Sequence, residues 1–129
     1  MDTISNKIIT ENNFPNLKEV DKSEAREEVA QLLANGEEVV SVFQTVRDQV
    51  VFTNKRVIAI NVQAITGVKK SFYSYPYSKI QYYGVETAGV LDIDSELVLG
   101  FADGIRLVFD FSFKINIEKI CSLISEYVL

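Results

Sequence analysis

The sequence predicts a mainly β domain in which seven antiparallel strands form a closed or nearly closed barrel, capped at one end by a C-terminal α-helix. Three observations predict it. From Glu37 to Phe111, β-branched and aromatic residues gather in seven short runs. The links between runs are brief and carry turn residues, as at Asn54-Lys55, Thr66-Gly67 and Asp103-Gly104, so successive strands pair antiparallel as a meander. The chain then ends in a stretch with a single apolar stripe, which must be buried against the sheet or in a barrel mouth. A length of 129 residues fits one domain, and a hydrophobic fraction of 47% is ample for a packed core.

Taken in order, residues 1–20 are polar and weakly patterned. Asn12-Asn13 and Pro15-Asn16 read as loop, with at most a helical turn at Ile4–Ile9. Asp21 offers an N-cap, with Glu24 three residues on to complete a capping box. Ala25, Val29, Leu32 and Leu33 form one apolar stripe, and Gly36 suits a left-handed C-terminal cap. These features predict a helix over Lys22–Asn35, so residues 1–36 form a loop and helix packed on a barrel built from residues 37–129. Strands are expected at Glu37–Val46, Gln49–Thr53, Arg56–Gln63, Val68–Tyr77, Ile80–Thr87, Ser95–Phe101 and Ile105–Phe111. The last alternates most cleanly: Ile105, Leu107, Phe109 and Phe111 face one side. The first is apolar on both parities, Val39 and Phe43 against Val40, Val42 and Val46. A small barrel has one inside, so the second apolar face needs cover from the N-terminal helix or a neighbour. In the closing helix Asn116 is the N-cap, Ile115 reaches Ile120 as a hydrophobic staple, and Ile117, Ile120, Cys121, Ile124 and Val128 form the stripe.

Composition narrows the function. No apolar run approaches the roughly 20 residues of a spanning helix, and the first residues lack a signal-peptide core, so a cytoplasmic location is expected. Cys121 is alone, which leaves no intrachain disulfide or multi-cysteine metal site; on the apolar face it reads as a small hydrophobe. Histidine is absent, and with it the commonest general base and metal ligand. No glycine-rich phosphate loop or serine-centred elbow occurs. Asp92, Asp94 and Glu96 alternate as calcium ligands do, but Leu97 stands where an EF-hand loop needs glycine. No catalytic residue, metal or cofactor is expected, and the chain does not read as an enzyme.

Charge and aromatics suggest where a partner attaches. Residues 41–80 hold one acid and six bases (Arg47, Lys55, Arg56, Lys69, Lys70, Lys79), between acidic flanks. Tyr73, Tyr75 and Tyr77 share a parity and should line one sheet face, suited either to core packing or to a protein interface. A pI near 4.7 argues against nucleic acid.

Three segments carry a family resemblance. Arg47-Asp48-Gln49-Val50-Val51-Phe52-Thr53-Asn54-Lys55-Arg56-Val57-Ile58 resembles the strand–turn–strand signature of bacterial pleckstrin-homology (PH) domain proteins. Ser74-Tyr75-Pro76-Tyr77-Ser78-Lys79-Ile80 resembles a second segment of theirs, and the stretch from Val85 through Asp92 to Leu97 a third. The resemblance implies a PH-like barrel, no known catalytic activity, and a tendency toward ring-shaped homo-oligomers. Eukaryotic PH domains hold phosphoinositides through a basic first inter-strand loop, whereas here Thr45–Gln49 carries Arg47 followed directly by Asp48. The expected function is therefore a self-assembling or protein-binding scaffold module, its partner a second copy in a cyclic homo-oligomer or another protein, with Arg47, Lys55, Arg56, Lys69, Lys70, Tyr73, Tyr75 and Tyr77 as candidate interface residues. The alternative is a peripheral anion or lipid-headgroup binder using the same cations, although the net charge of −5 does not favour a membrane.

Overall fold

Four of the seven expected strands have the expected ends. The structure, a computed structural model, describes residues 10–62, 69–87, 94–112 and 115–129. The strands are β1 (Thr10–Val20), β2 (Val39–Gln44), β3 (Gln49–Thr53), β4 (Arg56–Val62), β5 (Lys70–Pro76), β6 (Ile80–Thr87), β7 (Ser95–Phe101) and β8 (Ile105–Phe111); the helices are α1 (Glu28–Leu32) and α2 (Ile117–Val128). The expected turn at Ile4–Ile9, the Thr66-Gly67 link and Asp92 lie outside the described residues.

The eighth strand is a correction: residues expected as loop form β1. Its first half pairs parallel to β8, from Thr10 opposite Ile105 to Phe14 opposite Phe109, and its second half pairs antiparallel to β2 through Lys18, Glu19 and Val20. Inward-facing Phe14 stacks on Phe109 at 4.9 Å, and Leu17 is buried. Between the two halves the register shifts at Pro15-Asn16. Proline lacks the N–H a regular ladder would need, and Asn16 takes the left-handed conformation at φ 58°, so both residues suit a bulge. The exposed polar residues on either side of Phe14 and Leu17, and the Pro15-Asn16 step between them, hide the strand from a periodicity argument.

β1 also changes the barrel. The sheet runs β5-β4-β3-β2-β1-β8-β7-β6, with β5 and β6 at its edges, so it is open rather than closed. The antiparallel meander holds within β2–β5 and within β6–β8, and breaks at the 3-10 turn Tyr77–Lys79 that joins the two edge strands. Pro76 enters that turn without a ladder donor. α2 fills the interior beside it. Ile120 and Ile124 are buried among Phe52, Phe109, Leu97 and Leu99; the Tyr77 and Tyr127 rings lie 6.2 Å apart; the Tyr83 hydroxyl shares a hydrogen bond with Ser125 Oγ. Asn116 caps α2 as expected, accepting from Lys119 N at 3.1 Å, and Ile115 packs against the same core.

The expected helix Lys22–Asn35 is broken. A 3-10 turn over Lys22–Glu24 follows the Asp21 cap, Ala25 is extended, and only Glu28–Leu32 is α-helical. The Gln49 side chain accounts for the break: its amide donates to the Glu24 carbonyl at 2.7 Å and its oxygen accepts from Arg26 N at 3.1 Å. Backbone groups that a continuous helix would use are bonded to the sheet instead. Gly36 is left-handed as expected, at φ 78°. This segment supplies the cover that two-sided strands require, because Val29, Ala25 and Leu33 pack on Val42, Val51, Ile58, Ile60 and Phe72, the outer face of β2–β5.

Candidate functional site

Three of the six bases singled out in the sequence, Arg47, Arg56 and Lys70, are engaged within the chain. The Arg56 guanidinium is bidentate to Glu37, Nε to Oε2 at 2.8 Å and Nη2 to Oε1 at 2.7 Å. It also donates to Ser74 Oγ at 3.1 Å and to the Leu32 carbonyl. Burial opposes ionisation of Glu37, but bonds from Arg56, Ala34 N and the Thr53 hydroxyl outweigh it and hold the carboxyl at about 2. Arg56 is thus the clasp that fastens residues 32–37 to the sheet. Lys70 reaches Glu28 on α1 at 3.0 Å, and Arg47 lies 3.7 Å from its neighbour Asp48.

Lys55, Lys69 and Lys79 are exposed and make no ion pair among the described residues. Lys55 and Lys79 belong to one corner, because Tyr77 N donates to the Lys55 carbonyl at 3.0 Å and so joins their two turns. Lys69 stands at the opposite end of β5. The six bases therefore do not converge into one patch.

The three tyrosines separate as well. Tyr77 leaves the strand for the turn and is fully buried, its hydroxyl donating to the Thr53 carbonyl at 2.7 Å. Burial, with Glu37 and Tyr127 nearby, pushes its pKa up, so it serves the core. Tyr75 is half-buried against Phe101, ring centroids 5.6 Å apart, and Tyr73 is 58% exposed. They line a cleft of about 440 Å³ with Glu11, Asn12, Asn13, Phe14, Ala59 and Asn61.

On the other half of the sheet, register places three carboxylates directly opposite one another: Glu86 faces Glu96, and Glu96 faces Asp110. Like charges across a ladder are destabilising. Beyond the row Gly84–Val98–Val108, a third row on this face runs from Tyr82 across Gly100 to Arg106, with the Tyr82 ring lying where a Gly100 Cβ would project, 2.0 Å away. Neither the acidic row nor the cleft is visible without register, which composition does not fix. Cys121 is half-buried, and burial raises its thiol pKa. No helix among the described residues is long and apolar enough to cross a membrane.

Comparison with known proteins agrees with this arrangement of strands and closing helix. The model of the bacterial PH domain family matches residues 8–128. The chain belongs to that family. A DUF1696 family protein with a pleckstrin-homology domain from Shewanella loihica superposes with a TM-score of 0.75 at 34% identity, covering 89% of this chain and 99% of that one. A pleckstrin homology domain from Shewanella amazonensis gives 0.61 at 37%, covering 85% and 90%. In sequence, this bacterial PH domain is 51% identical over 72 residues to the uncharacterized protein YjqA of Bacillus subtilis, over 56% of this chain and 58% of that protein. The match thus spans under two thirds of YjqA's length. The uncharacterized protein YozO of the same organism is 31% identical over 80 residues, 62% of this chain and 69% of that one.

Proposed function

We propose that the chain is a non-catalytic, cytoplasmic module that assembles head to tail with copies of itself into a closed ring. One observation carries the reading: the exposed Lys55–Lys79 corner and the Glu86–Glu96–Asp110 row stand at opposite ends of β6. Lys79 and Glu86 are separated by a run of strand roughly 23 Å long. A contact between unlike patches is heterologous, and heterologous contacts close into rings when the rotation permits. Charge would set register, while exposed Tyr82 and Val85 on the same strand would add apolar area. Light scattering at two concentrations tests the proposal. A mass above one 14.6 kDa chain is expected at tens of micromolar, falling for Lys55→Glu/Lys79→Glu and restored when that variant is mixed with Glu86→Lys/Glu96→Lys. A single-chain mass for the parent at both concentrations overturns it.

A second reading has its own observation. At the tip of the β2–β3 hairpin Val46 is fully exposed beside Arg47, an apolar and basic pair such as peripheral membrane proteins present. Each base near an anionic surface is worth about 1 kcal/mol, and Asp48 offsets Arg47. Co-sedimentation with anionic vesicles at physiological salt, lost on Val46→Asp, would favour this reading over self-assembly.

A further inference from the structure

The interior of the open sheet is filled in two ways. Toward α2 the inward positions are mainly apolar: Val57, Leu97, Leu99 and Phe109 pack with Ile120 and Ile124, and buried Ser41 is the polar residue in the row of Phe52 and Val57. Away from α2 the same strands turn polar on the same parity. β4 presents Val57, then Ala59, then Asn61; β1 presents Asn12 before Phe14; β5 presents Tyr75 and Tyr73. A strand whose only task is packing would keep its inward positions apolar. These residues instead wall the 440 Å³ cleft, with Phe14 and Ala59 as its apolar part.

The chemistry of the cleft limits its occupant. Its one carboxylate, Glu11, lies 3.2 Å from Arg106, so no lining charge is left to select an anion or a cation. The remaining polar groups are side-chain amides and tyrosine hydroxyls, with Asn12 hydrogen-bonded to the Tyr75 hydroxyl. A side-chain amide offers two donors and an acceptor in one plane, the complement of a peptide group. Alongside runs β5, seven residues long and an edge of the sheet, whose outer main-chain groups have no strand partner among the described residues. A seven-residue edge bordering a neutral, amide-lined, partly apolar cleft meets the requirements of strand addition: main-chain bonds for affinity, and a pocket for alternate side chains.

We propose that this cleft binds an extended, uncharged polypeptide segment laid along β5, its alternate side chains directed between Tyr73 and Phe14. A sugar offers similar hydrogen bonding, but Asn12, Asn13 and Asn61 are exposed, and bonds made in water discriminate weakly unless a main-chain ladder adds to them. The site lies apart from the carboxylate row, and the end of β5 at Pro76 adjoins the Lys55–Lys79 corner.

The test uses the full ¹⁵N-labelled chain and pools of acetylated, amidated heptapeptides randomised over uncharged residues. Binding pools should shift the Asn12 and Asn61 side-chain amides together with the backbone amides of Ser71–Tyr75. N-methylation at alternate peptide nitrogens should abolish the shifts, and Asn61→Leu should weaken the best peptide about tenfold, the loss of roughly one good hydrogen bond. Tyr73→Ala, at an exposed position, is the second variant and keeps the experiment readable where Asn61→Leu perturbs folding. The proposal fails if no pool shifts these amides at millimolar peptide, if N-methylated peptides bind equally, or if cellobiose shifts them and peptides do not. The solution mass of the same samples reports self-assembly separately, so each idea fails by its own signal.

Discussion

The two halves of the sheet manage their outer faces differently. Behind β2–β5 the outward residues are Val42, Val51, Ile58, Ile60 and Phe72, and residues 21–37 lie over them. Behind β6–β8 the outward positions read Tyr82, Gly84 and Glu86, then Glu96, Val98 and Gly100, then Arg106, Val108 and Asp110, while α2 is committed to the interior. Where strands are apolar on both parities the chain supplies a third layer; where Tyr82, Glu86, Glu96, Arg106 and Asp110 flank a central Val98–Val108 pair, the outer face is mixed and carries charge. The difference separates a region built for stability from one available for contact.

Substitutions should break this comparison in graded steps. Ile58→Ala behind β2–β5 and Ile120→Ala inside remove fully buried side chains, 0% and 1% exposed, and each should cost about 2–5 kcal/mol. Thermal unfolding reads the cost, and a parent-like melt for Ile58→Ala would mean residues 21–37 do not press on the sheet. Next comes the clasp. Arg56→Met leaves Glu37 charged and enclosed, at a cost of about 3 kcal/mol. The pH dependence follows from the same pair. Because the folded carboxyl titrates at about 2 rather than near 4.5, its contribution is complete above pH 4.5 and is lost as pH falls toward 2. Glu37→Gln should lack that acid-induced loss, which a series of melts across that range checks.

Smaller effects belong to the other half. Gly100→Ala places a methyl group where the Tyr82 ring lies; the ring is half exposed and can swing out, so the cost should be about 1 kcal/mol, with a changed Tyr82 signal in the aromatic NMR spectrum. Glu96→Gln should have the opposite sign. Relieving two like-charge neighbours should stabilise the single chain by about 0.2–1 kcal/mol while weakening the proposed assembly. A melt and a solution mass on one sample separate the two.

How much was legible follows from the kind of signal each element leaves. β8 could be read from Leu107, Phe109 and Phe111, and α2 from its stripe and the Asn116 cap, because both bury one side and show it in period. β1 was missed because half its pairing is made by exposed Glu11, Asn13 and Lys18, residues that do not mark a strand. The broken helix after Asp21 was missed because Gln49, distant in sequence, takes its backbone bonds. Among candidate site residues, charge identified Arg56 and Lys70 as notable but not that Glu37 and Glu28 would occupy them. Tyr77 shares a parity with Tyr73 and Tyr75, but the turn after Pro76 takes it out of their row and into the core.

The placement of β1 bears on how the chain is made. Its first residue pairs with Ile105 and its Phe14 stacks on Phe109, so the first of the described strands can complete its ladder only after residues through Phe111 have followed. Contacts this distant in sequence are slow to close. On a ribosome, β2–β5 have their local hairpins well before β8 exists, and β1 must wait with one half unpaired. A burst of early β structure followed by a slower phase that reports Phe14 would be the kinetic mark of that order.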